Sequence, residues 1–110
     1  MDTTRGNDPD RAVVTAALTG ATTSKAQHEG IPHTPEEIAA EARKAADAGA
    51  AQVHIHAKTA DGDPTFDDDV YTEIRERIRE RSDVIVNFST GAFGVSVEER
   101  TSYLRAAKPE

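Results

Sequence analysis

Three short apolar segments, each followed by a helix start signal, constrain the fold of this chain more than any other feature. They contain few charged residues, which is typical of buried strands. The segments are RAVVTAAL (11–18), AQVHIHA (51–57) and DVIVNFS (83–89). Because repeated strand–helix units build parallel sheets with right-handed crossovers, the sequence predicts an α/β fold of three parallel βα units. Continuous apolar strands also predict that both faces of the sheet are covered.

The intervening segments carry helix capping signals. Thr34 is a predicted N-cap, a proline follows it at the first helical position, and Glu37 completes a capping box. This first helix is expected to stop at Gly49, because glycine readily adopts the left-handed conformation that ends helices. A second helix is predicted over about 66–81, and a third, beginning at a serine with its own capping box, over about 96–106.

The length of the chain, 110 residues, is enough for one ordinary domain. Three βα units cannot close a barrel, which takes about 250 residues, and they leave an exposed sheet edge. We therefore expect one domain over residues 11–110 that is the N-terminal part of a larger domain, after a disordered lead-in over residues 1–10. The alternative is a small three-stranded α/β protein that needs a partner.

Charge and composition exclude several classes of partner. The formal net charge is −7, from 20 acidic and 13 basic residues, which disfavours nucleic acids and anionic membranes. No apolar run approaches the roughly 18 residues of a membrane span, and the polar start lacks the layout of a signal peptide. The absence of cysteine excludes disulfides and cysteine-type zinc sites. We expect a cytoplasmic protein.

Two histidines, His54 and His56, lie two residues apart in the second predicted strand. Residues two apart in a strand point to the same face, and this pair is near the carboxyl end, where parallel α/β folds place their sites. Two imidazoles at this spacing suit a tetrahedral ion such as Zn²⁺, but a catalytic zinc site usually has three protein ligands. A structural pair at a strand end is the alternative, and no neighbouring carboxylate is an obvious third ligand.

A second candidate group follows the third strand. Ser89, Thr90 and Gly91 are expected at the same edge of the sheet as the histidines. Their hydroxyls and free backbone N–H groups suit a carboxylate or a carbonyl oxygen of a substrate. The alternative is a strand-to-helix loop that needs glycine for its backbone conformation.

The chain resembles the β-keto acid cleavage enzyme family over nearly its whole length. The resemblance depends on the Pro-x-Thr-Pro-Glu-Glu helix start, the Ala-Gly-Ala, the His-x-His and the Ser-Thr-Gly. The matching segments are VVTAALTGATTSK (13–25), GIPHTPEEIAAEARKAADAGAAQVHIHAKTADGDPT (30–65) and VIVNFSTGAFG (84–94).

The resemblance implies a (β/α)₈ TIM barrel, usually homo-oligomeric, of which this chain would be the incomplete N-terminal part. It implies one Zn²⁺ held by His54, His56 and a glutamate from the C-terminal half, with Ser89 in contact with substrate. The implied reaction is a retro-Claisen exchange in which a β-keto acid and acetyl-CoA give acetoacetate and a new acyl-CoA. Zinc would polarise the β-keto carbonyl.

Departures from the family pattern limit these implications. Thr22 stands where the 3-keto-5-aminohexanoate enzyme has a glutamate that recognises an amino group, Lys58 replaces a common arginine, and Ala92 replaces a glycine. The third zinc ligand, the acid/base residues and the CoA surface lie beyond residue 110 in the family, so we expect an inactive fragment. The alternatives are a noncatalytic metal-binding or interaction module, and another metal-dependent barrel enzyme such as a hydrolase.

Overall fold

The computed structural model describes residues 10–92 and 94–109. The lead-in predicted over residues 1–10 lies, except for its last residue, outside the described residues. Among the described helices, none is long and apolar enough to cross a membrane. The elements, in chain order, are β1 (Thr15–Ala17), α1 (Pro35–Asp47), β2 (Gln52–Ile55), α2 (Asp68–Arg81), β3 (Ile85–Phe88), α3 (Val97–Thr101) and α4 (Leu104–Ala107).

The three strands form one parallel sheet in the order β1-β2-β3. In its register His54 is level with Ala17 on one side and with Asn87 on the other. The prediction of an α/β fold with parallel βα units is confirmed, and this arrangement is compatible with part of a TIM barrel. All three strands point the same way, so their carboxyl ends and the loops that follow them share one edge, which we call the carboxyl edge.

Local capping explains where the first two helices begin. The Thr34 hydroxyl accepts a hydrogen bond from the Glu37 backbone N–H, and the reciprocal half of the predicted capping box is also present. Helix α1 is followed by Gly49 with φ 111°, the predicted stop. Helix α2 begins two residues later than predicted, because the Asp67 carboxylate caps it by accepting from the N–H groups of Asp69 and Val70.

The prediction of one continuous third helix over 96–106 is wrong, because the structure divides this segment into α3 and α4. Ser96 caps α3 as expected, by accepting from the Glu99 N–H at 3.1 Å. At the break, the backbone N–H and the side-chain hydroxyl of Ser102 both bond to the Glu99 carbonyl, at 3.2 and 2.7 Å. These bonds tighten the turn and replace the helical pattern, as serine side chains often do.

The core lies between one face of the sheet and the helices. Its members from the strands and from α1 and α2 are Val53, Ile55, Val86, Phe88, Ile38, Ala39, Ala42, Tyr71, Ile74 and Ile78, all buried. Tyr103, which lies between α3 and α4, is also fully buried; its ring stacks on that of Tyr71 with centroids 3.7 Å apart. Phe88 meets Tyr71 edge-on at 4.8 Å. This aromatic cluster lies beneath the carboxyl edge.

The opposite face of the sheet departs from the expectation that both faces are covered. Thr15 and Ala17 are exposed on β1, and the Ile85 side chain on β3 is 44% exposed. Strand side chains alternate between faces, so this open face is also the one that carries His54. The prediction from the continuous apolar strands, that both faces are covered, therefore overestimates the burial found among the described residues.

Glu37 gives the fold an acid-sensitive contact. Its carboxylate pairs with the Lys25 ammonium at 2.7 Å and accepts from the backbone N–H groups of His33 and Thr34, both at 3.1 Å. These interactions, of which the Lys25 bond is the largest, lower the pKa of Glu37 from 4.5 to about 2. Because the folded pKa is depressed, the stabilisation is complete above about pH 4.5 and is lost as the pH falls towards 2.

We expect wild-type protein to lose more stability on acidification than a Glu37→Gln variant. Urea unfolding followed by far-UV circular dichroism at about pH 7 and about pH 3 measures the difference. Glu98→Gln is the matched control, because it removes an acidic side chain from the first turn of α3 rather than from α1. An equal loss in wild type and in Glu37→Gln would contradict the assignment.

Candidate active site

The two histidines lie at the carboxyl end of β2. His54 is inside the strand and His56 directly follows it, and both side chains are half-buried. Their rings meet edge-on with centroids 5.3 Å apart and an interplanar angle of 82°. The structure therefore brings the predicted pair together at the carboxyl edge, as the two-residue period of a strand requires.

Asn87 orients the ring of His54 from the neighbouring strand. The two residues are level in the parallel register, and the His54 Nδ1 lies 2.5 Å from the Asn87 Oδ1. Since an amide oxygen only accepts, this contact places the proton of a neutral His54 on Nδ1 and leaves the Nε2 lone pair free. A second partner that fixes the tautomer in this way is characteristic of metal-binding histidines.

Thr19 fixes the backbone of His56. The buried Thr19 hydroxyl donates to the His56 carbonyl and accepts from its N–H, both at 2.7 Å. Burial lowers the pKa of His56 below its ordinary value, and the nearby charges of His54 and Lys58 act in the same direction. These effects favour the neutral imidazole, which is the form that ligates metals.

Ser89 lies beyond β3 at the same edge. Its backbone N–H donates to the Ile55 carbonyl at 2.9 Å, and its own carbonyl accepts from the Tyr103 hydroxyl, also at 2.9 Å. The Ser89 hydroxyl oxygen accepts from the Gly91 N–H at 3.1 Å. The hydroxyl proton is then directed away from that amide and is available to an acceptor such as a substrate oxygen.

One cavity of about 190 Å³ opens between the loops that follow the three strands, and we call it the loop cavity. Two predicted binding residues, Ser89 and Gly91, line it together with His56. Thr90, the third, is exposed and does not line it. The other lining residues are Ala21, Thr22, Ala57, Pro64, Phe66, Tyr71, Ala92 and Val95.

The donor set fits part of a zinc site. Two imidazoles on one side of β2, one of them oriented by Asn87, are ligands that Zn²⁺ accepts. Within residues 10–92 and 94–109, no group of three or more histidine, cysteine, aspartate or glutamate side chains could hold a metal ion. The described residues therefore offer two side chains suited to a metal ion and not a complete three-ligand site.

Sequence reasoning missed Asn87 and Thr19. Asn87 is the one polar residue inside the apolar run Ile85–Phe88, a signal that the strand has a polar neighbour on one face. Its pairing with His54 required the register of β2 against β3, which the sequence does not specify. Thr19 directly follows the first apolar segment, and only the folded sheet brings it to His56.

Parallel strands whose carboxyl ends carry imidazole and hydroxyl side chains around one cavity define an α/β protein with the site placement of barrel and doubly wound enzymes. The chain belongs to the beta-keto acid cleavage enzyme family, whose model matches residues 11–110. This membership confirms the resemblance found in the sequence motifs.

Characterised relatives show how much of such a protein this chain spans. It is 42% identical over 93 residues to the 3-keto-5-aminohexanoate cleavage enzyme of Fusobacterium nucleatum, which covers 83% of this chain and 34% of that enzyme. It is 44% identical over 85 residues, 74% of this chain and 28% of the relative, to a 3-dehydrocarnitine:acetyl-CoA trimethylamine transferase of Rhizobium meliloti. The 3,5-dioxohexanoate:acetyl-CoA acetone transferase of Paraburkholderia graminis is 35% identical over 102 residues, 91% of this chain and 33% of that protein. The chain thus spans about one third of the length of these relatives.

Proposed function

We propose that this chain forms the N-terminal portion of a zinc-dependent β-keto acid cleavage enzyme. The observation that carries the proposal is the placement of His54, His56 and Ser89 together at the carboxyl edge, in a chain of this family. The names of the relatives, which act on β-keto acids and use acetyl-CoA, support the reaction class. A cytoplasmic location and a homo-oligomeric assembly are further predictions.

The proposed reaction exchanges acyl groups between two carbon skeletons. The bond between the β-carbonyl carbon and the adjacent CH₂ of the β-keto acid breaks, and that CH₂ joins the acetyl carbonyl carbon of acetyl-CoA. The CoA sulfur joins the released acyl group, so the products are acetoacetate and a new acyl-CoA. Every atom is retained, and no oxidant or reductant is needed.

His54 and His56 would hold the zinc ion through their free ring nitrogens. When bound, zinc supplies Lewis acidity towards a carbonyl oxygen. Asn87 keeps His54 in the required tautomer, and Thr19 keeps the backbone of His56 in place. Ser89 would donate its free hydroxyl proton to a substrate oxygen, while its backbone bonds to Ile55 and Tyr103 hold the group still.

The described residues do not complete a three-ligand zinc site, so we expect the chain alone to give no turnover. The test combines the chain with the segment of the Fusobacterium nucleatum enzyme that follows the matched region. With zinc, acetyl-CoA and a panel of β-keto acids, acyl-CoA and acetoacetate should form only when both polypeptides are present. Chromatography coupled to mass spectrometry detects both products.

Ser89→Ala is expected to lower turnover of the combined enzyme by about 10²-fold, since it removes one donor to a substrate oxygen. Thr90→Ala, one residue away and outside the loop cavity, is the matched control and should retain activity. Turnover by the chain alone would contradict the need for a second segment. If the two segments elute as one complex but give no product, while the intact relative is active in the same assay, the proposed function is wrong.

A further inference from the structure

Arg100, on α3, faces the candidate site from the side. It lines a shallow second cavity, which we call the side cavity, whose other lining residues are Ala21, His56, Gly91 and Ala92. All four of those residues also line the loop cavity, so the two cavities adjoin. Apart from the imidazole of His56, Arg100 is the one ionisable basic side chain among the described residues that line either cavity.

The described residues leave the guanidinium of Arg100 without a partner. Within the described part of the chain it has no ion pair and no side-chain hydrogen bond, although Arg100 is half-buried. Arg77 and Arg81 differ, because both pair with the Glu36 carboxylate, at 2.5 and 2.6 Å. This unpaired cation beside a cavity attracts anions locally, although the net charge of the chain is −7.

We propose that Arg100 binds the carboxylate of the ligand and that the loop cavity takes an uncharged tail. Identifying this ligand as the β-keto acid rests on the proposed function. A guanidinium presents two parallel N–H donors that match the two oxygens of a carboxylate. With the carboxylate in the side cavity, the chain of the ligand extends past His56 and Gly91, which the two cavities share, towards Ser89.

The walls of the loop cavity determine the class of the tail. Ala21, Pro64, Phe66 and Val95 present apolar surface there, and the lining residues with polar side-chain groups are Thr22, His56, Tyr71 and Ser89, all of them uncharged except for the titratable imidazole. No aspartate, glutamate, lysine or arginine of the described chain lines it. An ammonium or a second carboxylate on the tail would lose its hydration without gaining a charged partner, which is costly. The favoured tail is therefore short and uncharged.

Matched unreactive ligands test the proposal on the chain as it exists. Hexanoate has the carboxylate and the apolar tail, hexanamide lacks the charge, and 6-aminohexanoate adds a cation to the tail. Titrations of ¹⁵N-labelled protein, followed through the amide signals of Ala21, Gly91 and Ala92, give the affinities. We expect hexanoate to bind about tenfold more tightly than either of the other two ligands, and less tightly at high salt.

Arg100→Gln should reduce hexanoate binding to the level of hexanamide, and Arg100→Lys should restore part of it, since lysine keeps the charge and loses the two-pronged geometry. Arg105→Gln is the matched control, because it makes the same charge change on an exposed residue that lines neither cavity. Equal binding of hexanoate and hexanamide, unchanged binding in Arg100→Gln, or absence of binding would overturn the proposal.

The outcome is independent of catalysis, because the ligands are unreactive and neither zinc nor acetyl-CoA is added. If hexanoate binds at Arg100 in a charge-dependent way but the acyl-exchange assay fails, the anion site is supported. Only the identification of its ligand as a β-keto acid is then wrong. Acyl exchange that is fastest with a charged tail would instead remove the tail assignment while the proposed function stands.

Discussion

Replacing both His54 and His56 with alanine should lower the zinc affinity of the chain by at least about 100-fold. The two imidazoles are the ligands that the described site offers, and their rings already lie side by side at the end of β2. Loss of both removes the two imidazole ligands that the end of β2 offers. Isothermal titration calorimetry with Zn²⁺ near neutral pH measures the change.

The contribution of Asn87 can be separated from that of the ligands. Asn87→Ala removes the acceptor that holds the His54 Nδ1 proton, so the zinc affinity should fall by about tenfold while both ligands remain. His28→Ala is the matched control, because it removes an exposed histidine whose Nδ1 only accepts from the nearby Gly30 N–H. Equal zinc uptake by wild type and the double variant would contradict the assignment of His54 and His56 as ligands.

Features set by short stretches of chain could be predicted from the sequence. The capping box of Thr34 and Glu37 spans four residues, so its geometry follows from local chemistry, and the structure shows it as predicted. The common direction of His54 and His56 follows from the period of a strand. The parallel order of the sheet follows from the alternation of strands and helices.

Features that join distant segments could not be predicted. The contact between Asn87 and His54 depends on the register of two strands, and the bonds of Thr19 to His56 join residues 37 positions apart. Arg100 lines the side cavity together with Ala21 and His56, which follow β1 and β2 in the chain, and only the folded sheet brings these residues together. The aromatic stack of Tyr71 and Tyr103 likewise joins α2 to the turn between α3 and α4.

Tyr71→Ala should destabilise the chain by about 3–5 kcal/mol. The Tyr71 side chain is 1% exposed, and its ring contacts both other rings of the aromatic cluster, Tyr103 and Phe88. Truncation leaves a cavity where α2 meets the end of β3. Small domains are stable by only about 5–15 kcal/mol, so the variant should be close to its unfolding threshold. Urea unfolding followed by far-UV circular dichroism measures the loss.

Tyr71→Phe separates packing from the hydroxyl group. It keeps the stacked ring and should cost about 1 kcal/mol, the usual contribution of one hydrogen-bonding group. The same cluster supports the site, because the Tyr103 hydroxyl donates to the Ser89 carbonyl at 2.9 Å. A loss of stability in Tyr71→Ala as small as that in Tyr71→Phe would show that the stack does not hold α2 to the sheet. It would also remove the reason to connect the aromatic cluster with the position of Ser89.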